Sequence, residues 1–374
     1  MDRLSNVFHL GIKELFSLRR DTVLMALVLW AFTFSIYTAA TGLSHDLNNA
    51  SLAIVDEDRS QLSRRIHDAF LPPYFAEPET ITFSGIDPGM DLGSYTFVVV
   101  IPQRFQADVL AGRRPEVQVN IDATAMMQAG IGDGYISSIV LQETATFLSG
   151  NSETAAAVEL VPRYAFNPNI ESAWFTSIME MINHITMLAM VLTGAALIRE
   201  REHGTIEHLL VMPLTPLEIM LAKVWANGLV ILLASSLSLV LVIEALLQVP
   251  VAGSRLLFFS ATTLYLFFAT ALGILLATVA RSMPQFGLLF MLVMLPMNLL
   301  SGGETPTESQ PEWLQTIMLA VPSRHFVDIA QAILIRGAGL DLVWPQFLLV
   351  AVIGGLFFAT AAARFRRSIS ELQG

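Results

Sequence analysis

The chain has 374 residues, 54% of them hydrophobic and only 14% charged, with a mean hydropathy of +0.59; an average soluble protein is excluded, and the apolar surplus belongs in a bilayer. A formal net charge of -11 argues against nucleic acid as a partner. The absence of cysteine excludes disulfides, thiolate metal sites and cysteine nucleophiles.

Residues 1–21 read as a cytoplasmic interfacial helix, with Leu4, Val7, Phe8, Ile12 and Leu15 along one face. The apolar run 22–42 follows. Thr38, Ala39 and Ala40 are small residues of the kind found at a signal-peptide cleavage site, but the apolar core is longer than a signal h-region, so the run is expected to stay as the first transmembrane helix.

Residues 43–172 change character: short β-branched runs alternate with helix-like stretches, which predicts an α/β domain between the first two spans. Candidate strands are Leu52 to Val55, Thr80 to Phe83, Thr96 to Ile101 and Glu116 to Ile121. Asp58 with Gln61 three residues later has the form of a capping box, and Pro102 stands where a helix accepts a residue without an N–H. A longer helix is expected from Ala125 to Leu148, its first third weakened by Gly130, Gly132 and Gly134. Asn151 to Thr154 reads as a turn, and Asn167, Pro168 and Asn169 as the break before the second span. Acids such as Asp56, Glu57, Asp58, Asp68, Glu77, Glu79, Asp87 and Asp91 outnumber the arginines here. They suit a solvated acidic surface, with cationic substrates or a basic partner as the alternative.

From 173 to 374 the chain is nearly continuous membrane, with apolar stretches at 173–198, 218–247, 256–280, 284–300 and 342–363. The expected fold is thus an α-helical integral membrane protein of six transmembrane helices with an α/β extracytoplasmic domain. Lys13, Arg19 and Arg20 precede the first span, and Arg364, Arg366 and Arg367 follow the last, in the tail 364–374. Basic residues favour the cytoplasmic side, so both termini are expected there, with 43–172 and 301–341 outside.

An ATP-binding loop needs a Gly-rich turn ending in Gly-Lys-Ser/Thr, but the only lysines, Lys13 and Lys223, follow Ile12 and Ala222. Nucleotide energy would have to come from another polypeptide. The inner loop 199–217 is charged and patterned. Gly204 can break the long helix, a short helix from Thr205 to Met212 would present Ile206, Leu209 and Leu210, and Pro213 ends it. Thr215, Pro216 and Glu218 then restart a helix. The loop reads as a docking element, or as a charged loop that solvates two helix ends.

Within the second span, Glu180, Asn183 and His184 share one face, where they line a substrate path or dimer seam, or anchor the interface beside Trp174. Glu244 reads as interfacial. After the fifth span, Gly302, Gly303, Glu304 and Pro306 form an outer turn, followed by an amphipathic run from Ser323 to Ile335 bearing Phe326, Ile329, Ala330, Ile333 and Leu334. Segment 301–341 is expected to lie in the interface or re-enter the membrane as an outer gate. Neither His325 with Asp328 nor Glu180 with His184 supplies enough ligands for zinc, so no metal site is expected.

The run Ile198-Arg199-Glu200-Arg201-Glu202-His203-Gly204-Thr205-Ile206-Glu207-His208-Leu209-Leu210-Val211-Met212-Pro213 resembles the signature of ABC-2 type permeases. Ile54 to Ser60, Tyr95 to Phe105, Ala280 to Gln285 and Ser301 to Pro306 look like the YhhJ branch of bacterial inner-membrane permeases. The resemblance implies an export permease without enzymatic activity of its own. It would pair with a second identical or related copy, two ABC ATP-binding subunits and a periplasmic adaptor, with or without an outer-membrane channel to continue the route. ATP and Mg would be used by the ATPase, with no cofactor bound by this chain. The coupling role would fall on Arg199, Glu200, Glu202, Gly204, Thr205, Glu207, Leu209 and Pro213. Phe258, Phe259, Phe267, Phe268, Met291 and Met294 suit drugs or other amphipathic cargo, and suit membrane lipid equally. Two other classes stand beside this one: an ion-coupled carrier using Glu180, His184 and Glu244 as a proton relay, and a membrane scaffold that recruits an ATPase.

Overall fold

The computed structural model describes residues 3–42, 47, 49–122, 126–149, 166–168, 171–204, 214–303, 305 and 307–373. The chain divides into two compact units, Met1–Gly42 with Ala165–Gly374, and Leu43–Tyr164. In chain order the elements are α1 (Arg3–Arg20), α2 (Thr22–Gly42), β1 (Leu52–Asp56), α3 (Gln61–Asp68), β2 (Glu79–Thr80), α4 (Ile86–Asp91), β3 (Phe97–Ile101), α5 (Phe105–Leu110), β4 (Gln118–Ile121) and α6 (Met126–Leu148). There follow α7 (Ser172–Glu202), α8 (Pro216–Leu246), α9 (Arg255–Val279), α10 (Met283–Leu300), α11 (Glu312–Met318), α12 (Pro322–Ile335) and α13 (Leu340–Gln373).

In the first unit α2, α7, α8, α9, α10 and α13 are each long and apolar enough to cross a bilayer. Their hydrophobic runs saturate the backbone internally, as a span must. Buried hydroxyls follow the same rule: Thr186 Oγ1 donates to the Ile182 carbonyl at 3.1 Å, and Thr262 Oγ1 to that of Phe258 at 3.0 Å. α7 and α9 are the most enclosed spans, packed against each other and joined by a 3.0 Å hydrogen bond between Thr186 Oγ1 and Tyr265 Oη. The Tyr265 ring in turn stacks on Phe326 of α12, centroids 4.1 Å apart. Among the described residues three stretches widen to π geometry, at Ala31–Ser35, Leu239–Leu246 and Gln331–Ile335. α11 and α12 meet at 86°, the geometry of a broken span or a re-entrant loop.

The second unit is α/β. Its sheet runs β2-β1-β3-β4, with β1 parallel to β2 and β3, and β3 antiparallel to β4. Both faces of the central strands are covered. Leu52, Ile54, Phe97, Val99 and Ile101 meet Leu62 and Ile66 of α3, Phe105 and Val109 of α5, and Ile136 of α6. Ala53, Val55, Val98 and Val100 meet Ile86 of α4. Burial on both faces explains why β1 and β3 read as unbroken apolar runs.

Local chemistry departs from expectation at three points. The cap of α3 is Ser60, boxed with Ser63, rather than Asp58 with Gln61; the Asp58 carboxylate accepts from the Gln106 N–H instead, at 3.0 Å. Pro102 lies outside a helix, since α5 starts at Phe105 behind Arg104, which adopts φ +62. The second strand covers only Glu79–Thr80, and the chain coils into a short helix at Phe83–Gly85.

Candidate functional site

The functional geometry gathers where α7 ends and α8 begins. Amphipathic α1 lays Leu10, Glu14 and Leu18 inward and packs along α8, with Phe8 stacked on Trp225 at 5.8 Å and the Trp225 Nε1 donating to the Val7 carbonyl at 3.1 Å. This places Glu14 beside Lys223. The Lys223 side chain is 1% exposed, and its Nζ lies 3.1 Å from Glu14 Oε1 and 2.8 Å from Glu200 Oε2. One ammonium thus bridges two carboxylates from two other helices, and the pairing offsets the cost of a charge out of water.

Around this triad the neighbouring residues tie the remaining elements. Asp21 caps α2 by accepting from the Leu24 N–H at 3.0 Å, and it also pairs with Arg199. The Leu24 N–H, then Arg199, holds the Asp21 carboxyl below the usual carboxylate range. Arg201 donates to the Ala277 and Ala280 carbonyls at the end of α9. Glu202 Oε1 accepts the Met283 N–H at the start of α10, at 2.9 Å. Thr215 and Glu218 cap α8 reciprocally behind Pro216, and Asn6 Nδ2 donates to Glu218 Oε1 at 3.4 Å. A cavity of about 60 Å³, room for ordered water, lies between Glu14, Asp21, Arg199, Glu200 and Asn227.

The family model described as ABC-2 family transporter protein matches residues 21–363, which takes in this hub except for Glu14 and α1, and the long apolar helices as far as residue 363. The chain belongs to the ABC-2 transporter permease family. It is 54% identical to the inner membrane transport permease YhhJ of Escherichia coli (strain K12), over 100% of both chains. It is also 30% identical to the probable multidrug ABC transporter permease YbhR of the same organism, over 96% of this chain and 97% of that one, and 26% identical to YbhS, likewise a probable multidrug ABC transporter permease, over 95% and 93%. Family membership implies an ABC ATPase subunit as partner, and makes the chain a multi-pass inner-membrane permease rather than an enzyme.

The permease places the predicted coupling residues unequally. Arg199, Glu200 and Glu202 turn toward the bundle and spend their charges on Asp21, Lys223 and the Met283 N–H. They tie α7 to its neighbours instead of presenting an open charged face. Gly204 ends the helix at φ +67, a left-handed conformation that glycine adopts without strain. Thr205, Glu207, Leu209 and Pro213 lie outside the described residues.

In the second span, His184 Nε2 stands 3.0 Å from Ser35 Oγ and 3.7 Å from Glu180 Oε2, and the ring meets Phe32 edge-on. His184 is therefore a contact between α7 and the π segment of α2 within one copy. Asn183 is half-buried beside it. Glu244 pairs with Arg255 at 2.8 Å across the link from α8 to α9. In the turn after α10, Gly302 takes φ +92, Gly303 lies against Met179, and Ser301 Oγ meets Ser323 Oγ at 2.6 Å. Glu304 and Pro306 lie outside the described residues. His325 Nε2 is engaged by the Leu319 carbonyl at 2.8 Å, and among the described residues no three acidic or histidine side chains gather as a metal site.

The sequence offered Lys223 only as a lysine lacking a phosphate loop, and Glu14, Asp21 and Asn227 carried no signal beyond their charge or polarity. The available clue was a lone lysine near the start of an apolar run, which demands a buried partner.

Proposed function

We propose that this chain is the membrane half of an ATP-driven exporter of drugs or other amphipathic molecules. It works as a pair of copies with a separate ATPase, and a periplasmic adaptor joins at residues 43–164. The basic residues before α2 and after the last span support cytoplasmic termini, which puts loop 199–217 on the ATPase side. The names of the YbhR and YbhS relatives support drugs as cargo.

The observation that carries the coupling reading is the Glu14–Lys223–Glu200 bridge. It joins α1, α7 and α8 at the two roots of the loop, so a push on the loop tilts three helices as one body. Uncoupling should follow if the left-handed exit at Gly204 is removed, since proline cannot adopt φ +67.

The test is reconstitution in liposomes with the ABC ATPase that copurifies in mild detergent, using the lipophilic cation ethidium as cargo. Gly204→Pro should abolish ethidium-stimulated ATP hydrolysis and transport while the protein stays folded. Unchanged stimulation in the variant would overturn the coupling role.

A further inference from the structure

Two of the stretches that carry the family resemblance, Ile54 to Ser60 and Val100 to Phe105, lie far from the coupling hub in sequence and belong to the other unit. The structure makes them the carboxyl ends of β1 and β3 and the turns that follow. The chain leaves β1 for α3 on one face of the sheet and leaves β2 for α4 on the other. Connections that diverge from neighbouring parallel strands open a crevice at their carboxyl ends, the place where open α/β sheets bind ligands.

Here the crevice measures about 830 Å³, and its lining includes Glu57, Arg59, Arg64, Asp68, Ile81 and Phe83. Its volume falls in the range of small-molecule sites.

The charges along this lining are not equally free. Asp56 spends Oδ1 on the N–H groups of Asp58 and Arg59, at 3.0 and 2.8 Å, and Oδ2 on the Ser63 hydroxyl at 2.8 Å. His67 and Asp68 pair with each other at 3.1 Å. Among the described residues Arg64 uses only its Nε, on the Ser60 carbonyl at 3.1 Å, which leaves the terminal nitrogens of its guanidinium for the crevice. Arg59 projects from a residue held at φ +51. Two guanidinium groups therefore share the lining with the carboxylates of Asp56, Glu57 and Asp68, in a unit otherwise rich in acids. Guanidinium forks bind carboxylate and phosphate oxygens with paired hydrogen bonds. Beside them stands the ring of Phe83, 59% exposed, next to Ile81, which packs against the core on that face of the sheet.

We infer that this crevice binds a small organic anion, a carboxylate or phosphate group carried on an apolar ring or chain. The site stands on the sheet topology and the lining of its own unit, and does not depend on the transport reading.

The experiment uses the full chain in nanodiscs of neutral lipid, titrated with phenyl phosphate, benzoate and phenol while backbone hydrogen exchange is followed by mass spectrometry. Phenyl phosphate or benzoate should protect residues 56–68 and 79–84, and phenol should not. The Arg59→Ala/Arg64→Ala double variant should weaken that binding by about tenfold or more, with exchange in β1 and β3 unchanged as evidence of an intact sheet. Phe83→Ala, an exposed position, should weaken it less. Protection by phenyl phosphate alone would identify a phosphate ligand, and by benzoate alone a carboxylate ligand. No protection by either anion, equal protection by phenol, or undiminished binding in the double variant would overturn the site.

Discussion

Lys223 shows how one side chain can decide a local structure. Its ammonium is enclosed by helix and reached by two carboxylates, Glu14 and Glu200, so two negative charges share a single positive one. Removing the lysine strands both. Lys223→Met should destabilise the protein by about 3–5 kcal/mol, the usual cost of breaking a buried pair from one side. The triple change Glu14→Gln/Lys223→Met/Glu200→Gln should recover most of that loss, because no charge is left uncompensated. Thermal unfolding in detergent measures both, and a silent single variant would show that the triad is not the structural centre of the hub. This network was illegible beforehand for a physical reason: Glu14 and Lys223 are 209 residues apart, and no spacing rule reaches that far. The cap formed by Thr215, Pro216 and Glu218 was legible because all its atoms lie within one turn.

At the scale of elements, the spans could be read from length and hydropathy alone, since a bilayer imposes both. Their π segments could not, because Ala31–Ser35 and Leu239–Leu246, with Thr33, Ser35 and Glu244 among their residues, show no spacing that marks a widened turn. In α6 the expected helix forms despite its glycines. The helix runs unbroken from Met126, and Gly132 lies under the Phe97 ring, where a β-carbon would stand 2.1 Å from it, so close packing outweighs intrinsic propensity. The corner between α1 and α2 turns on Asp21, whose carboxyl is held below the usual carboxylate range by the Leu24 N–H and Arg199. A depressed acid stabilises fully above its ordinary pKa and loses that contribution as pH falls through the lowered value. Asp21→Ala should cost about 1 kcal/mol near neutral pH, the usual worth of a cap. It should also remove the acid-dependent part of hydrogen exchange at residues 22–25. An unchanged acid profile in the variant would assign that titration to another group.

At the scale of the whole molecule, the chain alternates between two solvents: an apolar bundle and a polar unit with cores of its own on both faces of its sheet. That division was visible as a change of periodicity near residue 43, and the strand order was not, because parallel pairing joins segments by contacts invisible to local pattern. Residues 43–164 expressed alone should be soluble, show mixed α/β circular dichroism and melt cooperatively; an unfolded or aggregated fragment would mean that the unit needs the bundle to fold. The insertion also sets a clock on assembly. At roughly 5–20 residues per second of synthesis, Lys223 emerges from the ribosome roughly 10–40 seconds after Glu14, and His184 follows Ser35 by a similar wait. The nascent α1 must spend that interval without its counter-charge, on its apolar face alone, so the ion triad closes late in the birth of the permease.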